Sequence, residues 1–418
     1  MHQLTAYLLS SKSETNSVTS LFKSRWSQRL HVGSKRGGLD ETQSRAPSPH
    51  FFGHVAHRSK FDDCDLVKKY GKLGATVGEG AGGSIQLVTR PSDGVVCAVK
   101  KFRARSPHED EREYARKVKI EFNIGSCLRH RNIIETLDLF EVHGQWYEVM
   151  EYAPYCLFEI ALSRKMSREE INCSFLQVLA GVRHLHRLGY AHRDLKLENI
   201  VVTESGVMKM IDFGSATMSR HPHTGRVILA NGVVGCLPYM APEILLGSPY
   251  DAQKADVWSL AIIYCSMILG RFPWKVAALY DKAFNLFATT KGQHRHAERG
   301  MERSSSEPAS LKPLNPAAPV TCDLKAANSD TVSMINFSLD GAANSQRTRS
   351  VLEPCRPLSQ LPSESRALIR DMLLLNAKGR PSLEEISQYS WVEQSQACSQ
   401  DTSNSVHYGP QHEHVLRS

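Results

Sequence analysis

The sequence predicts an α+β chain of two lobes, a small strand-rich one followed by a larger helix-rich one. Short strand-like segments broken by glycine turns fill the first third of the patterned sequence, and long segments of helical spacing dominate the rest. The chain has 418 residues, of which 41% are apolar and 22% charged. Those values are near globular averages, so a sizeable core is available.

Residues 1–62 contain eleven Ser and four Thr, with Gly37-Gly38 and Pro47-Ser48-Pro49. Such composition buries too little apolar surface to offset ordering entropy, and a disordered Ser-rich tail is expected. Gly71–Gly78 leads as a strand into a glycine loop. Ser84–Thr89 alternates as the next strand, Pro91-Ser92-Asp93-Gly94 turns the chain, and Val95–Phe102 returns. Glu109–Leu128 has helical spacing, with Tyr114, Val118, Phe122 and Leu128 on one side. Ile133–Glu141 and Gln145–Glu151 read as two further strands around His143-Gly144. Helices are expected over Ser167–Leu188, Lys254–Leu269, Ser363–Asn376 and Ser382–Trp391. Between Lys291 and about Pro357 the pattern fades into a low-complexity insertion.

The formal charge is +8, and residues 1–60, with nine Lys/Arg and three Asp/Glu, carry +6 of it. A basic, polar tail reads as a solvated segment, so no nucleic-acid partner is expected. No apolar run reaches about 18 residues, so no transmembrane helix is predicted. None of the ten cysteines has Cys-x-x-Cys spacing, and no Cys/His group along the sequence has zinc-site spacing. Most read as small buried hydrophobes of a reducing compartment.

Chemistry concentrates in His192-Arg193-Asp194-Leu195-Lys196-Leu197-Glu198-Asn199 and, eighteen residues after Asp194, Asp212-Phe213-Gly214. A base, a cation and two oxygen donors for a hard divalent metal form the inventory of phosphoryl transfer from ATP. Gly78-Glu79-Gly80-Ala81-Gly82-Gly83 has the G-x-G-x-x-G spacing. A dinucleotide-binding turn would open a helix, whereas this one opens another strand, which argues against a nucleotide-dependent oxidoreductase. Glycine amides in such a hairpin approach phosphates closely. Lys100 follows on the returning strand, with Lys101 pointing to the other face. Glu121, on the Glu109–Leu128 helix, is placed to orient Lys100.

The ordered set Gly78-x-Gly80-x-x-Gly83-x-Ile85, Ala98-Val99-Lys100, Glu121, His192–Asn199, Asp212-Phe213-Gly214, Ala241-Pro242-Glu243, Asp256-Val257-Trp258 and Arg380 resembles the eukaryotic Ser/Thr protein kinases. The resemblance covers about 65–393 apart from the insertion. It implies the two-lobe protein-kinase-like fold. The expected divisions are a tail at 1–62, an N-lobe at 63–153, a first part of the C-lobe at 154–290, the insertion at 291–357, the last C-lobe helices at 358–393 and a disordered tail at 394–418. It also implies ATP and Mg²⁺ as cofactors and proteins bearing Ser or Thr as substrates.

Residue by residue, the resemblance makes Asp194 the catalytic base and Lys196 a stabiliser of charge on the transferring group. Asn199 and Asp212 hold the metal, and Lys100 and Glu121 pair against the phosphates. Met150 borders the adenine pocket, and Glu151 to Ala153 supply backbone hydrogen bonds. Val77, Ile85, Ala98 and Val201 sandwich the adenine, and Gly78, Gly80 and Gly83 cover the phosphates. Glu243 pairs with Arg380, and Asp256 anchors the catalytic loop.

Glu111–Val118, Asn132–Asp138, Trp146–Pro154, Lys165–Ile171 and Phe272-Pro273-Trp274-Lys275 are similar to the fungal halotolerance / nitrogen-permease-reactivator kinases. That narrower resemblance implies regulation of plasma-membrane nutrient or ion transporters. A cytoplasmic monomer with peripheral membrane or transporter association is expected.

The chain departs from the kinase pattern at Cys236, where a hydroxyl residue is usual. It departs again at Gly82, in place of an aromatic at the loop tip, at Gly125 within a helix, and at Cys156. Cys236, Gly82 and Gly125 motivate the alternative of a pseudokinase or scaffold. Leu229–Met240 contains no Ser or Thr, so Thr217, Ser219 and Thr224 are the candidates for loop phosphorylation. Ser304 and Ser350 are candidates in the insertion.

Overall fold

The computed structural model describes residues 64–80, 82–289, 356–401, 405–409 and 412–416. The expected tail at 1–62, almost all of the insertion, Ser304 and Ser350 lie outside them. The chain divides into two compact units. The first takes its described residues from 64–122 and 135–152, the second from 123–134 and from 153 onward. Residues 123–134 group with the second unit.

The first unit begins with α1 (Asp65–Tyr70) and continues through β1 (Thr76–Gly80), β2 (Gly83–Thr89) and β3 (Val96–Phe102). Then come α2 (Glu111–Cys127), β4 (Thr136–Val142) and β5 (Gln145–Glu151). The strands form one sheet in the order β1-β2-β3-β5-β4, with every pairing antiparallel.

Strand alternation sorts the two faces of this sheet. Cys97, Val99, Tyr147 and Val149 join Val88, Val142 and the α1 residues Leu66 and Tyr70 in one buried cluster. On the other face Phe102 and Trp146 pack against Tyr114 and Val118 of α2. Gly125 lies inside α2, which continues to Cys127.

The second unit holds β6 (Tyr155–Cys156), α3 (Leu157–Leu162), α4 (Arg168–Arg187), β7 (Tyr190–Ala191), β8 (Ile200–Val202), β9 (Met208–Met210) and β10 (Thr217–Met218). Helices α5 (Pro242–Leu245), α6 (Ala252–Leu269), α7 (Lys282–Ala288), α8 (Arg356–Ser359), α9 (Ser363–Met372), α10 (Leu383–Ile386) and α11 (Ser390–Gln394) follow. The small strands β6 to β10 were not expected, because two or three residues are too few to show a period of two. The single helix expected over Ser382–Trp391 is instead α10 and α11.

Ser167 caps α4 by accepting from Glu170 N at 3.1 Å, and Ser382 caps α10 in a reciprocal capping box with Glu385. Helix α6 is apolar on nearly every side and is buried from Ala255 to Met267, as a core helix should be. Its Trp258 is fully buried and lies 5.7 Å from the Trp274 ring. No described helix is long and apolar enough to cross a membrane.

The expectation of disorder from residue 394 is corrected. Ser399–Gln400 (β11) and Val406–His407 (β12) pair antiparallel, Arg131 donates to Gln400 O at 3.1 Å, and Val415 N donates to Glu170 Oε1 at 2.6 Å. Polar and sulfur-centred contacts hold this segment, which is why its apolar-poor composition read as disorder.

Candidate active site

In the first unit, the β1–β2 hairpin carries the glycines. Gly83 has φ +145°, and a Cβ there would lie 1.9 Å from Lys101 O, so only glycine fits. Pairing of β2 with β3 sets Ile85 opposite Lys100, and pairing of β3 with β5 sets Ala98 opposite Met150. A Cβ at Gly82 would touch the Lys100 Cε at an ordinary 3.5 Å, so the loop tip rests over that side chain.

Lys100 shares its sheet face with Ala98 and Phe102, the face that α2 covers. Tyr114, Val118 and Glu121 are spaced i, i+4, i+7, so Glu121 lies one turn beyond the packed residues on the same helix face. Its Oε1 accepts from Lys100 Nζ at 2.6 Å, with both side chains mostly buried. Packing of Tyr114 and Val118 on Phe102 and Trp146 therefore fixes this ion pair. Val77 lies on β1 and is exposed, and Gly78 and Gly80 flank it in the hairpin. The Glu151 amide donates to Glu135 O at 2.9 Å, so a backbone bond from Glu151 to a ligand would come from its carbonyl.

In the second unit, Asp194 Oδ2 accepts from Lys196 Nζ at 2.5 Å and from Asn199 Nδ2 at 3.3 Å. Asn199 Nδ2 also donates to Asp194 O at 2.9 Å. Asp194 Oδ1 is buried and has no hydrogen-bond partner among the described residues. A carboxylate held by one oxygen and unpartnered at the other keeps a lone pair that could accept a hydroxyl proton. Burial pushes the Lys196 pKa down, but its bond to Asp194 and that carboxylate's charge outweigh burial and hold it above its ordinary value.

The β8–β9 register pairs Ile200 with Met210, and Ile211 N donates to Asn199 O at 2.9 Å. The hairpin thus brings Asn199, just before β8, close to the Ile211–Asp212 backbone just after β9. Both of its donations to Asp194 use Asn199 Nδ2, which turns the amide oxygen elsewhere. A carboxylate and an amide oxygen are hard donors and fit Mg²⁺. Val201 lies on β8 beside Asn199, and Ala153 precedes β6.

The catalytic segment is braced from α6. Asp256 is buried; its Oδ2 accepts from His192 N at 2.8 Å and lies 2.9 Å from His186 Nε2, and its Oδ1 accepts from Arg193 N at 2.9 Å. Phe213 is buried with its ring 5.5 Å from that of His192.

Residues 72–392 match the protein kinase domain family. The chain belongs to that family. It is 43% identical over 355 residues to "Serine/threonine-protein kinase oca2" of Schizosaccharomyces pombe, covering 85% of this chain and 53% of that protein. It is 38% identical over 331 residues to the "Nitrogen permease reactivator protein" of Saccharomyces cerevisiae, covering 79% and 40%. "Serine/threonine-protein kinase HAL4/SAT4" of Saccharomyces cerevisiae is 35% identical over 239 residues, covering 54% and 40%. The chain thus spans about half the length, or less, of these relatives.

Within this kinase-family framework the departure at Cys236 has a structural consequence. No hydrogen bond joins its thiol to Asp194 or Lys196 among the described residues. Burial first, and then the Glu198 charge, push its pKa up to about 12, so it stays a neutral thiol. Gly235 before it has φ +114°, and a Cβ there would lie 2.7 Å from Arg193 O.

Tyr239 escaped the sequence reading, which also assigned no role to His192. Tyr239 OH accepts from Leu197 N and donates to Glu198 Oε2, each at 3.3 Å, and so ties the Ala241-Pro242-Glu243 region to the catalytic segment. The buried His192 Nε2 lies 3.1 Å from Ile211 O and links that segment to the chain leading to Asp212. An aromatic two residues before Ala241 was the only signal for Tyr239.

Proposed function

We propose that this chain is a Ser/Thr protein kinase that transfers the γ-phosphoryl group of ATP to protein hydroxyls. The observation that supports it most is Asp194, with Oδ2 held by Lys196 and Asn199 and Oδ1 without a partner among the described residues. Asp194 would orient that hydroxyl and draw its proton, while Lys196 would stabilise charge on the transferring group. Lys100, held by Glu121, would position the α- and β-phosphates beneath the glycine amides. Ala98, Ile85, Val77 and Met150 of the first unit would pack on the adenine, with a hydrogen bond to the Glu151 carbonyl. Asn199 and Asp212 would hold Mg²⁺, which when bound neutralises phosphate charge.

Phosphorylation of a Ser/Thr peptide is measured with Mg-ATP, beside Asp194→Ala and Lys100→Met. Loss of signal in both variants supports the reading. Equal signal from all three proteins would falsify it. ATP binding without transfer in the parent protein would favour the scaffold alternative.

The names of the relatives support a finer proposal, that the substrates are regulators or cytosolic segments of nutrient and cation transporters. Loss of phosphate from such segments on deletion of the gene, with no change on other membrane proteins, tests it.

A further inference from the structure

Far along the sequence from the catalytic residues, the fold assembles four groups that sequence spacing did not reveal. Cys173 lies on α4, while Cys398, His412 and His414 lie in the C-terminal segment. One ligand atom from each falls within 4.8 Å of all the others. We propose that these four side chains bind one zinc ion that fastens the C-terminal segment to α4. No zinc-site spacing along the sequence could announce this group, because the first cysteine stands 225 residues from the second.

The distances suit a tetrahedron. Cys398 Sγ lies 3.4 Å from His412 Nε2 and 3.3 Å from His414 Nε2, and Cys173 Sγ lies 3.9 Å from His414 Nε2. Zinc–sulfur and zinc–nitrogen bonds of about 2.3 and 2.05 Å require sulfur–nitrogen edges of about 3.6 Å. Both imidazoles present Nε2 inward, and both cysteines are free and buried. Two thiolates and two imidazoles at tetrahedral spacing favour zinc over hard cations.

The surroundings suit thiolates. Cys398 N donates to Cys173 Sγ at 3.2 Å, Gln177 Nε2 donates to the same sulfur at 3.4 Å, and Gly409 N donates to Cys398 Sγ at 3.2 Å. A neutral thiol is a weak acceptor, so three N–H groups aimed at two sulfurs are better matched by anionic ligands. The β11–β12 pairing of Ser399 with His407 sets Gly409 against Cys398.

A second observation points to the same ion. The His414 side chain is 5% exposed, and its Nδ1 has no hydrogen-bond partner among the described residues while facing Glu170 Oε1 at 3.7 Å. Glu170 Oε2 is likewise buried and unpartnered among them. A metal on Nε2 fixes the proton on Nδ1 and directs it at this carboxylate, the usual outer support of a zinc-bound histidine. The His414 ring seats against bare backbone: a Cβ at Gly206 would lie 2.2 Å from its Cδ2. Four protein ligands close the coordination sphere, so the site is structural. On binding, two S–H bonds are exchanged for two Zn–S bonds and both protons leave to water.

The test uses the full chain purified without chelator. Elemental analysis is expected to give about one zinc per chain, falling below about a tenth in Cys398→Ser and in His414→Ala. Cys265→Ser, at a buried cysteine elsewhere, retains the metal. Replacing zinc with Co²⁺ in the parent protein gives tetrahedral d–d bands and thiolate-to-cobalt charge transfer, a readout that does not depend on variants folding. Chelation lowers Tm, and added Zn²⁺ restores it. The proposal fails if the parent holds no zinc and gives no such cobalt spectrum, if the variants keep their zinc, or if Cys173 and Cys398 are isolated as a disulfide. Kinase activity enters none of these readouts, so this proposal and the proposed function fail separately.

Discussion

Glu243→Ala is the sharpest stability test of the second unit. The Arg380 guanidinium is fully buried, and it donates to both Glu243 oxygens, at 2.5 and 2.7 Å. Its remaining bonds go to Leu374 O at 2.8 Å and Lys254 O at 2.9 Å, and it lies 4.9 Å over the Trp258 ring. Removing the carboxylate strands two guanidinium N–H groups and a charge that is 0% exposed, beside a site where Glu243 itself is only 18% exposed. Breaking one side of such a pair costs about 3–5 kcal/mol. For a unit of this size each kcal/mol shifts Tm by about 2–4 °C, so a fall of roughly 6–20 °C is expected. Calorimetry of the parent, Glu243→Ala, Arg380→Met and the double variant measures it. The double variant should recover much of the loss, since an apolar pair removes the stranded charge. A Glu243→Ala loss below about 1 kcal/mol would refute the view that this pair is desolvated.

Three other outcomes follow from the site. Cys236→Thr supplies a hydroxyl donor near Asp194 and Lys196, and a hydrogen bond to a charged group is worth about 1–2 kcal/mol, so kcat for a peptide should rise about 5–30-fold; an unchanged or lower kcat counts against this role. Arg193 already donates to Asn231 O at 2.8 Å and to Tyr250 OH at 3.1 Å, and Ser219 is buried with its hydroxyl on Gly189 O, so phosphatase treatment should leave activity unchanged; a large loss would show that loop phosphate is required. His130 is stacked on His184 at 4.9 Å, its Nδ1 accepts from Asn132 N, and burial followed by the neighbouring His184, Arg131, Arg183 and Lys209 lowers its pKa to about 4 from 6.5. The unfolded chain therefore takes up this proton first as pH falls: stability is level above 6.5, declines between 6.5 and 4, and levels below. With the ring's partial exposure allowed for, the decline is roughly 1–2 kcal/mol. The difference between parent and His130→Gln, followed by urea titration across pH 4–7.5, isolates it, and parallel curves would refute the assignment.

The sequence carried the parts of the fold that have a period. Ser84–Thr89 alternates, and the strand runs over Gly83–Thr89. The apolar stripe of Tyr114 and Val118 marked the helix, but Glu121 was legible as the partner of Lys100 only through the kinase-consensus offsets of Leu128, His130, Asn132 and Ile133. The proximity of Asn199 to the chain entering Asp212 was legible only as a motif. The three-residue strands that produce it are too short to leave a pattern, and their register becomes visible only once Ile200 is seen opposite Met210. The Cys173–Cys398–His412–His414 group was illegible for a different reason. Its spacing is set by where α4 meets the C-terminal segment, and no local rule reports that distance.

The catalytic segment also shows why buried polar residues far from the chemistry recur in the motif set. Arg193 and Asp212, on either side of the β8–β9 hairpin, both have φ +67°. Neither is glycine, and each left-handed residue costs on the order of 1–2 kcal/mol. Such a conformation persists only where other bonds require it. At Arg193 the requirement comes from Asp256, whose two oxygens take the consecutive amides of His192 and Arg193 and so dictate the backbone there. His192 passes the constraint onward through Ile211 O and the Phe213 ring to the neighbourhood of Asp212. Asp194 thus follows a left-handed backbone that a carboxylate on α6 holds in place, and the setting of its Oδ1, unpartnered among the described residues, depends on Asp256.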